Sequence, residues 1–279
     1  MSDSVLISVE DLVYEYPDGT RALDGVRLEV REHEFIALIG QNGSGKTTLS
    51  KSLNGILKPT RGTVRIGELD TRSRGVTRKI VTQVGYVFQN PDHQLFNNTV
   101  HKEIAYGPRN IGLGHEEVEA RVEEAARVCG VKPELFEEHP FFLTKGLRQR
   151  VSIASILAMR PRVIIVDEPT TGQDRRQSVE VMNFLRDLWE RGGHTVIIVT
   201  HEMPIVSEYA RRCVVLSRGQ VLLDGPTREV FARPDALAQA QVKPPQITRL
   251  AQALGDHGVR GDVLSVDEMM EEFDRVTSS

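Results

Sequence analysis

The chain has 279 residues, 39% of them hydrophobic and 27% charged, which suits a globular protein of one large domain or a domain with an appendage. Its formal net charge of −4 supplies no global basic field, which argues against nucleic acid as a partner. No apolar run reaches the about 18–20 residues that a membrane-crossing helix needs, and Met1-Ser2-Asp3-Ser4 carries no signal-peptide pattern. The chain is therefore expected to be soluble or peripheral, with any membrane role exercised through a partner. Cys129 and Cys213 lie far apart and read as two buried free thiols of a reducing compartment.

The first elements read as strands. Ile7 to Val13 precedes the turn signal Pro17-Asp18-Gly19-Thr20, and Val26-Arg27-Leu28-Glu29-Val30 is apolar at every second position. Phe35-Ile36-Ala37-Leu38-Ile39 suits a buried strand, and Leu49 to Leu53 suits a helix. Lys58-Pro59-Thr60-Arg61-Gly62 breaks the chain before a short strand, Thr63 to Ile66. Val84 to Phe88 is another buried strand. Residues 115–129 predict an amphipathic helix with Val118, Val122, Ala125 and Cys129 on one stripe. Arg148 to Met159 predicts a second, and residues 91–160 together read as a mostly helical insertion.

An α/β core then resumes. Val163-Ile164-Ile165-Val166 is a continuous apolar run of the kind that fills central parallel strands. A helix over 175–191 places Trp189 in the core and ends at Gly192-Gly193. Thr195 to Thr200 is a buried strand, and Val214 to Leu223 reads as a hairpin around Ser217-Arg218-Gly219. Beyond residue 230 the chain becomes a polar helical tail, interrupted at Lys243-Pro244-Pro245, with short helices over Thr248 to Leu254 and Val266 to Phe273.

Between the strand ending at Ile39 and the helix after it lies Gly40-Gln41-Asn42-Gly43-Ser44-Gly45-Lys46-Thr47-Thr48. This fits G-x-x-x-x-G-K-[ST], a loop whose backbone N–H groups surround phosphate at a helix N-terminus. Lys46 is placed to reach the β and γ phosphates and Thr47 to hold Mg²⁺. The run Val163 to Val166 ends in Asp167-Glu168. Acids at the end of a buried strand are costly unless they have work there. The two strand ends can share one edge of the sheet, with Asp167 on Mg²⁺ and Glu168 taking a proton from water. His201 directly follows another buried strand and could touch the γ phosphate or orient Glu168; Gln89 ends a strand and could reach water or Mg²⁺.

In order and spacing these residues resemble the ATP-binding cassette (ABC) ATPases over about residues 5–230, with 231–279 as a C-terminal tail. The resemblance implies a P-loop cassette: a RecA-like α/β core sheet, an N-terminal antiparallel β part, a helical subdomain over 91–160 and a short helical tail. Gly40 to Thr48 matches Walker A, Asp167 and Glu168 match Walker B and the catalytic glutamate, Gln89 the Q-loop and His201 the switch histidine. Thr171-Gly172-Gln173-Asp174 occupies the D-loop position, and Tyr16 the place of an aromatic that stacks on adenine. The family closes two cassettes head to tail on two ATP molecules, each ATP also meeting the partner's Leu-Ser-Gly-Gly-Gln signature. Here that stretch is Leu143-Thr144-Lys145-Gly146-Leu147. Thr144 keeps a hydroxyl and Gly146 a close backbone approach, while Lys145 and Leu147 depart from the pattern; the charge of Lys145 could help hold phosphate or crowd the closed site.

A narrower resemblance, carried by Tyr16 to Leu23, by Phe88-Gln89-Asn90-Pro91-Asp92-His93-Gln94-Leu95-Phe96 and by Pro245 to Leu250, is to the energy-coupling factor branch. It implies an ATPase bound at the cytoplasmic face of the membrane that drives uptake of a metal ion or vitamin. Its implied partners are a second cassette, a transmembrane coupling protein and a small substrate-capture membrane subunit. A groove lined by Asp92 and its neighbours is expected to receive basic helices of the coupling protein. The alternatives are an importer with a separate binding protein, or a non-transport ABC protein.

Overall fold

The computed structural model describes residues 4–278; Met1, Ser2 and Asp3, part of the segment without a signal pattern, and Ser279 lie outside the described residues. The N-terminal part contains β1 (Val5–Glu15), β2 (Arg21–Arg31), β3 (Phe35–Ile39), α1 (Lys46–Leu53), β4 (Arg61–Ile66), β5 (Leu69–Asp70), α2 (Thr77–Val81) and β6 (Val84–Val87). The helical insertion follows as α3 (Val100–Asn110), α4 (His115–Val128) and α5 (Lys145–Leu157). The core resumes with β7 (Val163–Asp167), α6 (Arg175–Glu190), β8 (Thr195–Val199), α7 (Met203–Tyr209), β9 (Arg212–Ser217) and β10 (Gln220–Pro226). The C-terminal part is α8 (Thr227–Phe231), α9 (Pro234–Gln239), α10 (Gln246–Ala253) and α11 (Val266–Thr277).

Two sheets form. One is antiparallel, in the order β2-β1-β4-β5; the other has six strands in the order β10-β9-β3-β8-β7-β6. In the second sheet β9, β3, β8, β7 and β6 run parallel and β10 closes an edge antiparallel to β9. The parallel strands are mostly apolar because both of their faces are covered. On β3 the split follows the two-residue period of a strand. Phe35, Ala37 and Ile39 join the core beneath the helical insertion, while Ile36 and Leu38 join the core shared with the antiparallel sheet and α1.

Three expectations need adjustment. α5 starts at Lys145 rather than Arg148, because the Thr144 hydroxyl caps it by accepting from Leu147 N at 3.4 Å. α3 had no separate reading: its apolar spacing is interrupted by Gly107-Pro108, yet Thr99 caps its start and Pro108 sits near its end. Trp189 is half-buried rather than internal. Its ring meets the Phe35 edge at 5.9 Å, and its indole N–H donates to His33 O at 2.7 Å. Cys129 and Cys213 are buried and free, and burial raises both thiols well above the ordinary range.

The tail is anchored to α8 by a bidentate pair, Arg228 to Glu268 at 2.7 and 3.0 Å, and has a small core of Ala251, Val259, Val263 and Met269. Glu272 accepts from Arg275 at 2.6 Å and from Arg260 at 2.8 Å. Arg275 in particular holds its carboxyl at about 2, down from the ordinary 4.5. A depressed carboxylate stabilises the folded form above the unfolded pKa, and the contribution is lost as pH falls through the folded one. Amide-exchange protection of 266–277 is therefore expected to hold above pH 4.5 and fade toward pH 2. Glu272→Gln at pH 7 should reproduce the loss; equal protection in both proteins would remove Glu272 as the anchor.

Candidate active site

Because β3, β8, β7 and β6 are parallel neighbours, their C-terminal ends deliver four loops to one edge. These loops carry Lys46, His201, Asp167 with Glu168, and Gln89, and all five side chains line a single cleft of about 590 Å³. Tyr16, Asn42, Gly43, Gly45, Thr47 and Thr48 complete most of its wall. Gly40, Gln41 and Ser44 belong to the loop but not to the lining.

The loop needs its glycines. Gly40 has φ 149°, and a Cβ there would stand 2.3 Å from Leu216 O; at Gly45, φ 105°, it would stand 2.7 Å from Ala22 O. Backbone therefore packs where any other residue would clash. Lys46 is only 7% exposed, and its Nζ donates to Gly40 O at 2.8 Å and Gln41 O at 3.0 Å. Burial lowers its pKa, while Glu168 and Asp167 act in the opposite sense. The ammonium thus sits within its own loop with no full-strength anionic partner. The buried Ser44 Oγ has no hydrogen-bond partner.

Asp167 is buried and accepts from the Tyr86 hydroxyl at 2.8 Å. Burial pushes its carboxyl up, against the lowering effects of Tyr86, Lys51 and the Thr47 hydroxyl. Tyr86 has no counterpart in the sequence reading; the available signal was a phenol inside a buried strand, whose hydroxyl needs a partner.

Glu168 is held differently. Its backbone is left-handed, φ 49°, an uncommon state for a residue with a side chain, and its N–H donates to Val199 O at 2.8 Å. One carboxylate oxygen meets His201 Nδ1 at 2.9 Å and the other accepts from Thr171 Oγ1 at 3.1 Å. Glu168 is 12% exposed and His201 60%. An ionised carboxylate only accepts, so Nδ1 carries a proton and Nε2 of the neutral ring is an acceptor. With that proton on Nδ1, His201 can donate through Nε2 to a further anionic oxygen only as an imidazolium.

The ABC transporter family model matches residues 23–171. The chain is 41% identical over 272 residues to the energy-coupling factor transporter ATP-binding protein EcfA2 of Caldanaerobacter subterraneus subsp. tengcongensis, covering 95% of each chain. It is 42% identical over 271 residues to EcfA of Methanothermobacter thermautotrophicus, covering 96% of this chain and 86% of that one.

The chain belongs to the ABC transporter family.

An ABC transporter ATP-binding protein of the same Caldanaerobacter strain is 50% identical over 267 residues, but the chain spans only 45% of its length. Among solved structures, cbiO1 from Clostridium perfringens, part of the ABC transporter complex cbiONQ, superposes with a TM-score of 0.76 at 36% identity, covering 90% of this chain and 100% of that one. A dimeric post-hydrolysis state of the ATP-binding cassette MJ0796, bound to ADP and Pi, gives 0.71 at 27% identity, covering 79% and 98%. This cassette is thus an ABC ATPase, and within the family it falls with the ATPase subunits of energy-coupling factor importers.

The residues expected to form a signature and a D-loop stand apart from the cleft. Thr144, Lys145 and Gly146 open α5, and Asp174 caps α6 by accepting from Gln177 N at 2.8 Å; none of the four lines the cleft. A capping hydroxyl accepts one bond and keeps its hydrogen to donate, so Thr144 can still meet an anion. Tyr16 lies one residue past β1, its hydroxyl bonded to Thr48 Oγ1 at 3.0 Å and its ring edge-on to Tyr14. Asp92 is exposed and pairs with Arg148 Nε at 2.8 Å, and its neighbours Gln94 and Phe96 line a groove beside it. The nearby groove, about 420 Å³, lies among α2, α3 and α5, and among the described residues its one lining carboxylate is Glu103. Glu103 is already engaged by Phe96 N, Asn97 N and Asn97 Nδ2.

Proposed function

We propose that this cassette binds ATP along residues 40–48, with Tyr16 beside the adenine, and hydrolyses it with Glu168 as the general base. The reading is carried by one observation: a carboxylate fixed on both oxygens, by His201 Nδ1 and Thr171 Oγ1, at the wall of the cleft that holds Lys46. Two donors leave the carboxylate one orientation in which to meet the attacking water. Lys46 leaves two carbonyls for the phosphate oxygens and offsets the charge that grows on them. Gln89 stands across the cleft and orients water.

The hydroxyl oxygen of Thr47, the amide oxygen of Gln89 and the carboxylate oxygens of Asp167 form the hard donor set that suits Mg²⁺. The buried Asp167, whose carboxyl is pushed up by burial, is the charge such an ion would balance. Bound with ATP, Mg²⁺ would neutralise phosphate charge. Among the described residues no three His, Cys, Asp or Glu converge on a metal.

In this reading two cassettes pair head to tail, and Thr144 and Gly146 of each meet the γ phosphate bound by the other. Residues 5–230 are the ATPase domain, with 231–279 a tail that adds to the pairing. No helix of the described residues is long and apolar enough to cross a membrane, so work at the cytoplasmic face is delivered through partners. The α2–α3–α5 groove receives a helix of the transmembrane coupling protein. Its rim carries Phe96, 59% exposed, edge-on to Tyr106, 46% exposed. Aromatic packing rather than Asp92 is what this surface offers. Gln94 links the groove to the cleft: it accepts from Phe88 N, next to Gln89, and donates to Ser152 O and Ser155 Oγ on α5. A small membrane subunit captures the substrate, a metal ion or vitamin.

Purification of the tagged chain in mild detergent, with mass spectrometry of what is retained, tests the assembly. The expected result is a polytopic coupling protein with a small membrane subunit. Recovery with a separate soluble binding protein, or with ribosomes, would replace the energy-coupling reading.

A further inference from the structure

Lys145 breaks a local rule. It is the first residue of α5, where the helix dipole already presents positive charge and where an acid is favoured. Such a conflict marks a residue with another task. Its side chain is committed: Nζ donates to Thr171 O at 3.1 Å and to Gly172 O at 3.3 Å, two carbonyls of the turn after Glu168. That turn makes room for it. Gly172 is left-handed, φ 71°, and a Cβ there would stand 2.4 Å from Nζ. Thr171 is also the residue whose hydroxyl donates to Glu168 Oε2, and Glu168 Oε1 meets His201. A continuous hydrogen-bonded route therefore runs from the start of α5, through Lys145 and Thr171, to the Glu168 carboxylate.

We propose that Lys145 is a positioning residue that clamps the 168–174 turn to the N-terminus of α5 and, through Thr171, orients Glu168. In the paired cassette the start of α5 faces the partner's nucleotide and Glu168 its own, so the clamp links the two sites inside one chain. The inference rests on Glu168 as the base and on head-to-tail pairing. Two of the three Lys145 Nζ donors are turned to the turn carbonyls, which gives the side chain a task within its own chain.

The test is steady-state Mg-ATP hydrolysis by the full chain in its assembled transporter. Lys145→Met is expected to lower kcat about fivefold, the modest scale of a solvent-exposed contact, with KM within about twofold. Lys145→Gly should behave like Lys145→Met, and Lys145→Arg should restore most of the rate. Thr171→Val should also lower kcat, and the double variant Lys145→Met with Thr171→Val should lose no more than Thr171→Val alone. Unchanged or raised kcat in Lys145→Met would overturn the clamp. So would a raised KM at constant kcat, which would make Lys145 a phosphate ligand, or losses that multiply in the double variant. Glu168→Gln separates the two readings. If it turns over like wild type, the base assignment fails; if it is inactive while Lys145→Met is silent, only the clamp fails.

Discussion

Glu168→Gln is expected to lower kcat by about 10²–10⁴-fold, the usual contribution of a positioned general base, while ATP affinity stays within a few-fold. The amide keeps the size of the side chain and retains one oxygen as an acceptor. It cannot take a proton from water. The left-handed backbone at Glu168 is held by its own N–H bond to Val199 O and by the sheet beneath, so the variant should fold. Binding and turnover should thus separate: equilibrium titration with ATP near wild type, hydrolysis nearly absent. With wild-type turnover, Glu168 would be no base, and the chemistry would have to be sought elsewhere in the cleft.

Lys46→Ala acts one step earlier. A charge-assisted bond to phosphate is worth about 1.5–3 kcal/mol, so ATP affinity is expected to fall roughly 10–100-fold. Hydrolysis should fall further, since charge on the phosphate oxygens grows in the transition state. The ammonium is buried within its own loop, where burial works against its charge, so its removal should cost the empty protein little stability. Lys46→Met, which keeps the aliphatic stem, controls for packing. Calorimetric titration measures the affinity and thermal unfolding the stability. Unchanged affinity would remove residues 40–48 as the phosphate site.

The parts of the site that were legible beforehand are those whose requirements are local. Gly40 and Gly45 adopt backbone conformations and close approaches that only glycine tolerates, so the loop announces itself in a run of nine residues. The acids after Val163 to Val166 stand out because a buried strand has no other reason to end in two carboxylates. α3 and the true start of α5 were less legible because Gly107-Pro108 and Gly146 weaken the helical pattern, whereas the caps Thr99 and Thr144 override it.

Chain order and local pattern were enough to point to an α/β cassette with a glycine loop, an acid pair and a histidine after a buried strand, because backbone geometry and strand burial act over a few residues. Which side chains hold them was decided only by the tertiary fold. Tyr86 reaches Asp167 across 81 residues because β6 lies beside β7. Asp92 meets Arg148 because α5 packs against the turn at residues 91–93. Lys145 meets Thr171 because the start of α5 comes down on the turn after β7. Hydrogen bonds and ion pairs depend on distances of about 3 Å, and no spacing along the chain sets such a distance between residues on separate elements.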